Sequence, residues 1–184
     1  DLSWFDFTEE YWTHPLTSTT SEGYAVRPKL GRVLSGKITL PTTYNNKPVI
    51  ICGGFSGHKI THLFWKGESK LLTFETQCFG SVSTLLYVDM PTTIQSIGES
   101  AFSSCNSLEL PDLTKCPALD YIADYAFNGA GYHPTGGITL NIPGTVKHVG
   151  FGAFSFMRRI GSGGMILAQV NLGSATSPSQ LVSI

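Results

Sequence analysis

Four cysteines and five histidines are the side chains of this 184-residue sequence best suited to metal binding, disulfide formation or catalysis. The cysteines are Cys52, Cys78, Cys105 and Cys116, and no two of them have the C-x-x-C spacing typical of a zinc site. Four cysteines would fit two disulfides in a secreted protein. They fall, however, at apolar positions of the repeat described below, where a free cysteine packs as a small hydrophobic residue. We therefore expect free, buried cysteines.

The histidines are His14, His58, His62, His133 and His148. His58 and His62 are four residues apart, but they fall on either side of an expected strand start and not on one face of a helix. No acidic residue completes a metal-binding set. We expect surface or turn histidines and no metal site.

Motifs that would indicate an enzyme are absent from the sequence. There is no G-x-S-x-G, no P-loop and no dinucleotide-binding fingerprint. The glycine-rich run from Gly161 to Gly164 lacks the lysine and the following helix of a P-loop, so we interpret it as a loop. The acidic residues are scattered, and no carboxylate pair suggests a glycosidase. The sequence predicts no catalytic residues, no cofactor and no enzymatic activity.

The composition indicates one folded domain. Hydrophobic residues make up 41% of the chain and charged residues 14%, with a net charge of −1. This balance argues against electrostatic binding of nucleic acid or an anionic membrane, and no stretch approaches the ~20 apolar residues that span a bilayer. The chain begins at Asp1 without a visible signal peptide, and its end stops in mid-pattern. We therefore expect a processed protein or a fragment.

A repeat built around phenylalanine positions these side chains. Phe55, Phe79, Phe102, Phe127 and Phe154 are 24, 23, 25 and 27 residues apart. Five positions before each lies an apolar residue: Ile50, Phe74, Ile97, Ile122 and Val149. Immediately before each lies a small one: Gly54, Cys78, Ala101, Ala126 and Ala153. Agreement in several columns predicts stacked turns that bury one continuous core.

A second motif, L-x-x-L-x-L, follows several of these phenylalanines. It occurs at 60–65, 85–90 and 167–172, and a weak copy spans 108–113. Pro111 in the weak copy cannot donate a ladder hydrogen bond, so we expect a broken or shifted strand there. A period in the low to mid twenties with this motif is typical of a leucine-rich repeat.

The stretches MPTTIQSIGESAFSSCNSL and IPGTVKHVGFGAFSFM resemble the BspA-type leucine-rich repeats of bacterial surface proteins. The resemblance covers about residues 38 to 172. The sequence departs from the family pattern at Cys52-Gly53-Gly54, and it carries an insertion from Gly129 to Gly137. The family implies a right-handed solenoid with a parallel sheet on its concave side, and roles in adhesion and protein binding. Similar repeats occur in host-derived and virus-borne proteins, so the resemblance does not fix the source.

The expected fold is therefore a β-rich repeat solenoid of the α/β type. We expect an aromatic-rich N-terminal cap over residues 1–36, since the open end of a solenoid core must be covered. The solenoid of about five repeats follows over residues 37–172. We expect residues 173–184 to form a tail that leads to further sequence.

The expected concave face is the candidate binding surface. Strand side chains alternate, so the x positions inside L-x-x-L-x-L point away from the core. One outward column is predicted to hold His62, Tyr87, Leu110, Thr139 and Gln169, and the next Phe64, Asp89, Asp112, Asn141 and Asn171. Exposed aromatic rings beside carboxylates and amides suit recognition of a protein or a glycan.

Non-enzymatic binding or adhesion at an extracellular or cell surface is the leading functional expectation. The expected partner is a protein or glycan on a cell or particle surface, without nucleic acid and without membrane insertion. One alternative is a structural part of a larger assembly, such as a virion or an appendage, with contacts to assembly partners. The other is an accessory module of a degradative enzyme.

Overall fold

The computed structural model describes residues 1–131, 138–157, 167–174 and 177–178, the last two segments as backbone. The strands are β1 (Phe5–Thr13), β2 (Thr20–Pro28), β3 (Ser35–Pro41), β4 (Thr43–Tyr44), β5 (Lys47–Cys52), β6 (Lys59–Lys66), β7 (Thr73–Phe74), β8 (Tyr87–Val88), β9 (Ser96–Ile97), β10 (Tyr121–Ile122), β11 (Ile138–Ile142), β12 (His148–Val149), β13 (Leu167–Ser174) and β14 (Ser177–Pro178). Two short 3-10 helices span Leu2–Trp4 and Leu113–Lys115.

The segment upstream of each repeat phenylalanine builds one long sheet. Its strand order is β1-β2-β5-β7-β9-β10-β12, with β4 paired to β5. From β2 onward along this path the pairing is parallel. In the two-residue strands β7, β9, β10 and β12 the second side chain is buried in the core, as with Phe74, Ile97 and Ile122, and the first lies on the opposite face of the sheet.

The first repeat is out of step with the others. Cys52, not Ile50, pairs with Phe74 in the long sheet. Ile50 instead packs with Ala25 and Ile51 in a separate small cluster. The predicted place of Ile50 in the core column was therefore wrong, because the strand in this repeat lies closer to its phenylalanine.

The L-x-x-L-x-L motif forms a second, short sheet of parallel strands in the order β3-β6-β8. The weak copy at 108–113 adds no strand to it, which confirms the expected break. Pro111 has no N–H to donate, and Asp112 instead caps the second 3-10 helix by accepting from the Thr114 N–H at 3.2 Å. Strands β11, β13 and β14 form a third sheet.

The solenoid of about five turns is thus built almost wholly from strands and turns. The α/β part of the expectation is not confirmed for the described residues, whose only helical segments are the two 3-10 turns. The expected parallel sheet on the concave side is likewise not confirmed, because the strands divide between the long sheet and the two smaller ones. The long sheet continues past the point where Pro111 ends the short one.

Phenylalanine rings stack in one column through the core. Neighbouring ring centroids lie 5.1 to 6.3 Å apart along the series Phe5, Phe55, Phe79, Phe102, Phe127 and Phe154. Each turn also bonds to the next through its backbone, as where the Phe79 N–H donates to the Ala101 carbonyl at 2.7 Å. Stacking and hydrogen bonds therefore repeat at the same place in every turn, as the phenylalanine spacing predicted.

Residues 1–36, the predicted cap, contain an antiparallel hairpin of β1 and β2 at one end of the long sheet. The Phe5 ring packs against Phe55, and Phe7 stacks on Tyr44 with centroids 4.2 Å apart. The division into cap, solenoid and tail stays a prediction. The predicted loop at Gly161–Gly164 lies outside the described residues, as does most of the Gly129–Gly137 insertion.

Candidate functional site

Three aromatic side chains stand together on the outward face of the short sheet. His62 and Phe64 lie on β6, and Tyr87 pairs with His62 on β8. Their ring centroids are 5.5 to 6.3 Å apart. They alternate with buried Leu63 and Val88, so the same strands that fill the core hold the rings outward. We call His62, Phe64 and Tyr87 the aromatic patch.

Charged and apolar side chains border the aromatic patch. Lys37 pairs with His62 from β3, and Glu109 follows on the far side, where its N–H donates to the Leu86 carbonyl at 2.9 Å. These residues and the three rings line a shallow depression of about 340 Å³. The patch thus has an aromatic centre and a rim with one positive and one negative side chain.

The other predicted residues of the face are spread further apart. Asp89 and Asp112 line a second depression beside Tyr87. Asp112 lies outside any strand, because it caps the 3-10 helix, so its predicted place in a sheet column was wrong. Leu110 also lies outside any strand.

The remaining predicted pairs belong to a different sheet. Thr139 pairs with Gln169, and Asn141 with Asn171, between β11 and β13. Asn141 is exposed, whereas the side chains of Thr139, Gln169 and Asn171 lie outside the described residues. The two predicted continuous columns are therefore interrupted between β8 and β11.

His14 is a buried residue that the sequence did not point to. It is 3% exposed and adjoins the turn of the hairpin, so of the expected surface or turn position only the turn is found. Its Nδ1 accepts from the N–H groups of Leu16 and Thr17 at 3.1 and 3.2 Å. The proton is therefore on Nε2, which donates to Asp120 Oδ1 at 2.8 Å. Residues 14–19, the hairpin tip, are thereby fastened to the segment just before β10.

A second polar contact holds the hairpin against the long sheet. Arg27 donates to Glu10 Oε1 at 2.6 Å and, through Nε, to Glu75 Oε2 at 2.8 Å. Hydrogen bonds to Glu10 and then Glu75 raise the pKa of Arg27 above its usual value. Sequence patterns do not reveal these contacts, because the partners are separated by tens of residues and lie outside the repeat columns.

The other histidines have local roles. His58 Nδ1 accepts from the Leu34 N–H at 3.0 Å, and burial lowers the pKa of His58. His148 stacks on Tyr121 with centroids 4.5 Å apart. His133 lies outside the described residues. Across the described segments, no group of three or more histidine, cysteine, aspartate or glutamate residues is arranged to hold a metal ion.

All four cysteines are free and buried, as their positions in the repeat predicted. The Cys78 and Cys52 sulfurs are 4.0 Å apart, and the Cys105 thiol donates to the Phe79 carbonyl. Burial raises the pKa of Cys105 to about 12 and that of Cys116 to about 11. The Cys105 and Cys116 thiols are therefore protonated near neutral pH.

Comparison with known families agrees with the repeat seen in the core. The model of the BspA type leucine-rich repeat region matches residues 37–133 in six copies, which is more than half of the chain. This chain belongs to the BspA-type leucine-rich-repeat family.

Solved structures show the same fold. A leucine-rich repeat protein of T. pallidum, TpLRR, superposes with a TM-score of 0.60 at 20% identity, covering 84% of this chain and 65% of that one. A leucine-rich repeat protein of Bacteroides ovatus gives 0.56 at 22% identity, covering 89% of this chain and 39% of that one. The chain thus spans less than two thirds of either protein. No curated protein matches the sequence.

The BspA-type turns share a backbone feature that their sequence hides. The residue two positions before the phenylalanine has a positive φ in successive turns, at Gln77 (54°), Ser100 (53°) and Tyr125 (56°). This left-handed conformation is usually taken by glycine. None of these three residues is glycine, so the turn is set by the ladder of hydrogen bonds between turns.

No helix in the described part of the chain is long and apolar enough to cross a membrane.

Proposed function

We propose that this domain is a non-enzymatic protein-binding module that acts at an extracellular or cell surface, and that the aromatic patch is its contact site. The observation that carries the proposal is the cluster of His62, Phe64 and Tyr87, whose outward rings lie within 6.3 Å of one another. Aromatic side chains on a rigid support are the residues that most often dominate binding energy.

The support beneath the patch favours binding without rearrangement. Leu63 is fully buried behind the rings, and the Trp65 indole N–H donates to the Asp89 carbonyl at 2.9 Å, which ties β6 to the next turn. Such pre-organisation lowers the entropy cost of association. The Lys37 and Glu109 rim supplies the polar border that protein interfaces usually have around an apolar centre.

Membership of the BspA-type family supports a surface location and a protein partner, since leucine-rich repeats are generally used for protein binding. The proposal includes no catalytic step and no cofactor. Recognition of a glycan at the same rings is an outcome that the experiment below separates from recognition of a protein.

Panning a displayed library of random peptides on the immobilised domain tests this function. Selected peptides should lose roughly 30-fold or more in affinity for the Phe64→Ala/Tyr87→Ala variant, the loss expected for a hot spot of about 2 kcal/mol. Tyr11→Ala is the matched control, because Tyr11 is 70% exposed on β1, away from the short sheet. The selected peptides should bind Tyr11→Ala with the same affinity as the native domain.

Two results would contradict the proposal. One is selected peptides that bind the double variant as tightly as the native domain. The other is a glycan array in which sugars bind at the patch while no peptide does, which would replace protein recognition by glycan recognition.

A role in assembly is the second candidate, and one observation favours it. Phe151 and Phe156 are 72% and 54% exposed on one turn, and Tyr125 of the preceding turn packs edge-on against Phe151 with centroids 5.5 Å apart. Exposed aromatic residues grouped in this way often mark subunit contacts. Sedimentation of the native domain should then show an oligomer that Phe151→Ser converts to monomer. A monomeric native domain would exclude this role.

A further inference from the structure

A cavity lies between the hairpin and the long sheet, and none of its lining residues belongs to the aromatic patch. Its volume is about 600 Å³. Trp12, Thr13 and Pro15 of the hairpin form one wall, and the outward faces of β7, β9 and β10 form the floor. We call this space the hairpin cleft.

Small side chains on the floor keep the hairpin cleft open. Thr73 and Ser96 are buried there and bond to each other through their hydroxyl groups at 2.8 Å. Gly98 and Ala123 continue the floor toward the turns. Because these two hydroxyl groups already hydrogen-bond to each other, the floor does not need a polar ligand to satisfy them.

The side chains that line the cleft include three carboxylates. Glu75, Glu99 and Asp124 line it, and the lining includes no lysine, arginine or histidine. Glu75 is paired with Arg27, which is shared with Glu10 and therefore does not offset the other two carboxylates.

The remaining carboxylates have free hydrogen-bonding capacity. Asp124 Oδ1 accepts from the Phe151 N–H at 2.8 Å, which leaves its second oxygen for another donor. Glu99 is exposed, and its carboxylate makes no hydrogen bond or ion pair with the described residues. An uncompensated pair of carboxylates in a concave site attracts a cation more strongly than the same pair on a flat surface.

Aromatic rings at the cleft add a second preference for a cation. Trp12 lines the hairpin side and Tyr121 the sheet side. One face of Tyr121 is occupied by His148, and this stacking fixes the ring in place. Planar guanidinium groups stack on such rings and also bond to carboxylates through paired N–H groups, which a compact ammonium group does less well.

We propose that the hairpin cleft binds an arginine side chain presented by a basic segment of a partner protein. The guanidinium group would lie between Trp12 and Tyr121 and donate to Glu99 and Asp124. The His14–Asp120 hydrogen bond holds the hairpin tip over the sheet and so keeps the cleft formed before the partner arrives. This site is separate from the aromatic patch, and either could be present without the other.

Titration of the whole domain with the peptide acetyl-Gly-Arg-Gly-amide, followed by amide and indole NMR shifts, tests the proposal. Its matched control is the same peptide with citrulline, which keeps the shape and removes the charge. We expect shifts at Gly98, Ala123 and the Trp12 indole with the arginine peptide, reduced at about 0.5 M salt because the Debye length there is only a few Å.

A charge-neutralising variant identifies the carboxylate involved. Glu99→Gln should weaken binding of the arginine peptide about two- to fivefold, the effect of one exposed ion pair. Glu68→Gln is the matched control, since Glu68 is exposed, pairs with Lys70 and lies outside the cleft, and it should leave binding unchanged. Equal binding of the citrulline peptide, shifts confined to residues outside the cleft, or no shifts at all would overturn the proposal.

Discussion

The phenylalanine column makes a strong prediction about stability. Phe102 is fully buried, with Phe79 and Phe127 stacked on its two sides at 5.3 and 5.1 Å. Phe74 contacts it edge-on at 5.2 Å. Phe102→Ala removes a large side chain from the middle of the core and separates the column into two pieces.

The expected loss is large compared with the stability of an ordinary domain. Truncating a buried phenylalanine to alanine costs about 3–5 kcal/mol. We expect the upper part of that range, because three aromatic contacts are lost and each adds about 0.5–1.5 kcal/mol beyond burial. A typical domain has about 5–15 kcal/mol in total.

Urea unfolding followed by two signals measures this loss. Trp4, Trp12 and Trp65 all precede Phe102 in the chain, so tryptophan emission reports the N-terminal turns while far-ultraviolet circular dichroism reports the whole domain. Each turn of a solenoid contacts only its neighbours. In Phe102→Ala the circular dichroism transition should therefore occur at lower urea than the emission transition.

Phe156→Ala is the control for this experiment. Phe156 lies in the same kind of turn but is 54% exposed, so its removal should change the free energy of unfolding by less than about 0.5 kcal/mol. A loss below about 1 kcal/mol in Phe102→Ala would refute the idea that the column holds the turns together.

Three further predictions concern the thiols, the hairpin tip and the turns. Burial raises the pKa of Cys105 from 9.0 to about 12, so between these pH values the folded state keeps a proton that the unfolded state releases. The free energy of unfolding should therefore be unaffected below pH 9.0 and should fall as the pH rises toward 12. The urea midpoint should depend less on pH in Cys105→Ala than in the native domain. The same pH dependence in both proteins would contradict this prediction. His14→Ala should lower the free energy of unfolding by about 1–3 kcal/mol, because it leaves buried polar groups unpaired. A double-mutant cycle with Asp120→Ala that gave no coupling energy would argue against a stabilising His14–Asp120 hydrogen bond. Gly98→Ala should destabilise the domain by about 1–3 kcal/mol, because a Cβ there would lie 2.6 Å from the Glu75 backbone. Gly80→Ala is the control and should be tolerated, because the nearest atom to a Cβ there is 3.5 Å away. Equal melting temperatures for the two variants would exclude the steric explanation.

The repeat predicted the core better than it predicted the sheets. The apolar column of Phe74, Ile97, Ile122 and Val149 is buried as expected, because its spacing follows the stacking of the turns. The division into several sheets was not predicted, since two-residue strands leave no alternating pattern to read. Pro111 was an exception, because loss of one backbone donor is visible in the sequence itself.

Of the two candidate surfaces, the sequence predicted the aromatic patch but not the hairpin cleft. The L-x-x-L-x-L motif correctly placed His62, Phe64 and Tyr87 side by side, because adjacent parallel strands are in register. The hairpin cleft was missed. Its closing contact joins His14 to Asp120, which are 106 residues apart, and no motif relates two positions at that distance.

Hydrogen exchange of the domain with and without a saturating selected peptide tests the proposed function most directly. We expect slower exchange of amides in β6 (Lys59–Lys66) and β8 (Tyr87–Val88), which hold the aromatic patch. Slower exchange in other turns, with β6 and β8 unchanged, would show that the domain binds its partner elsewhere.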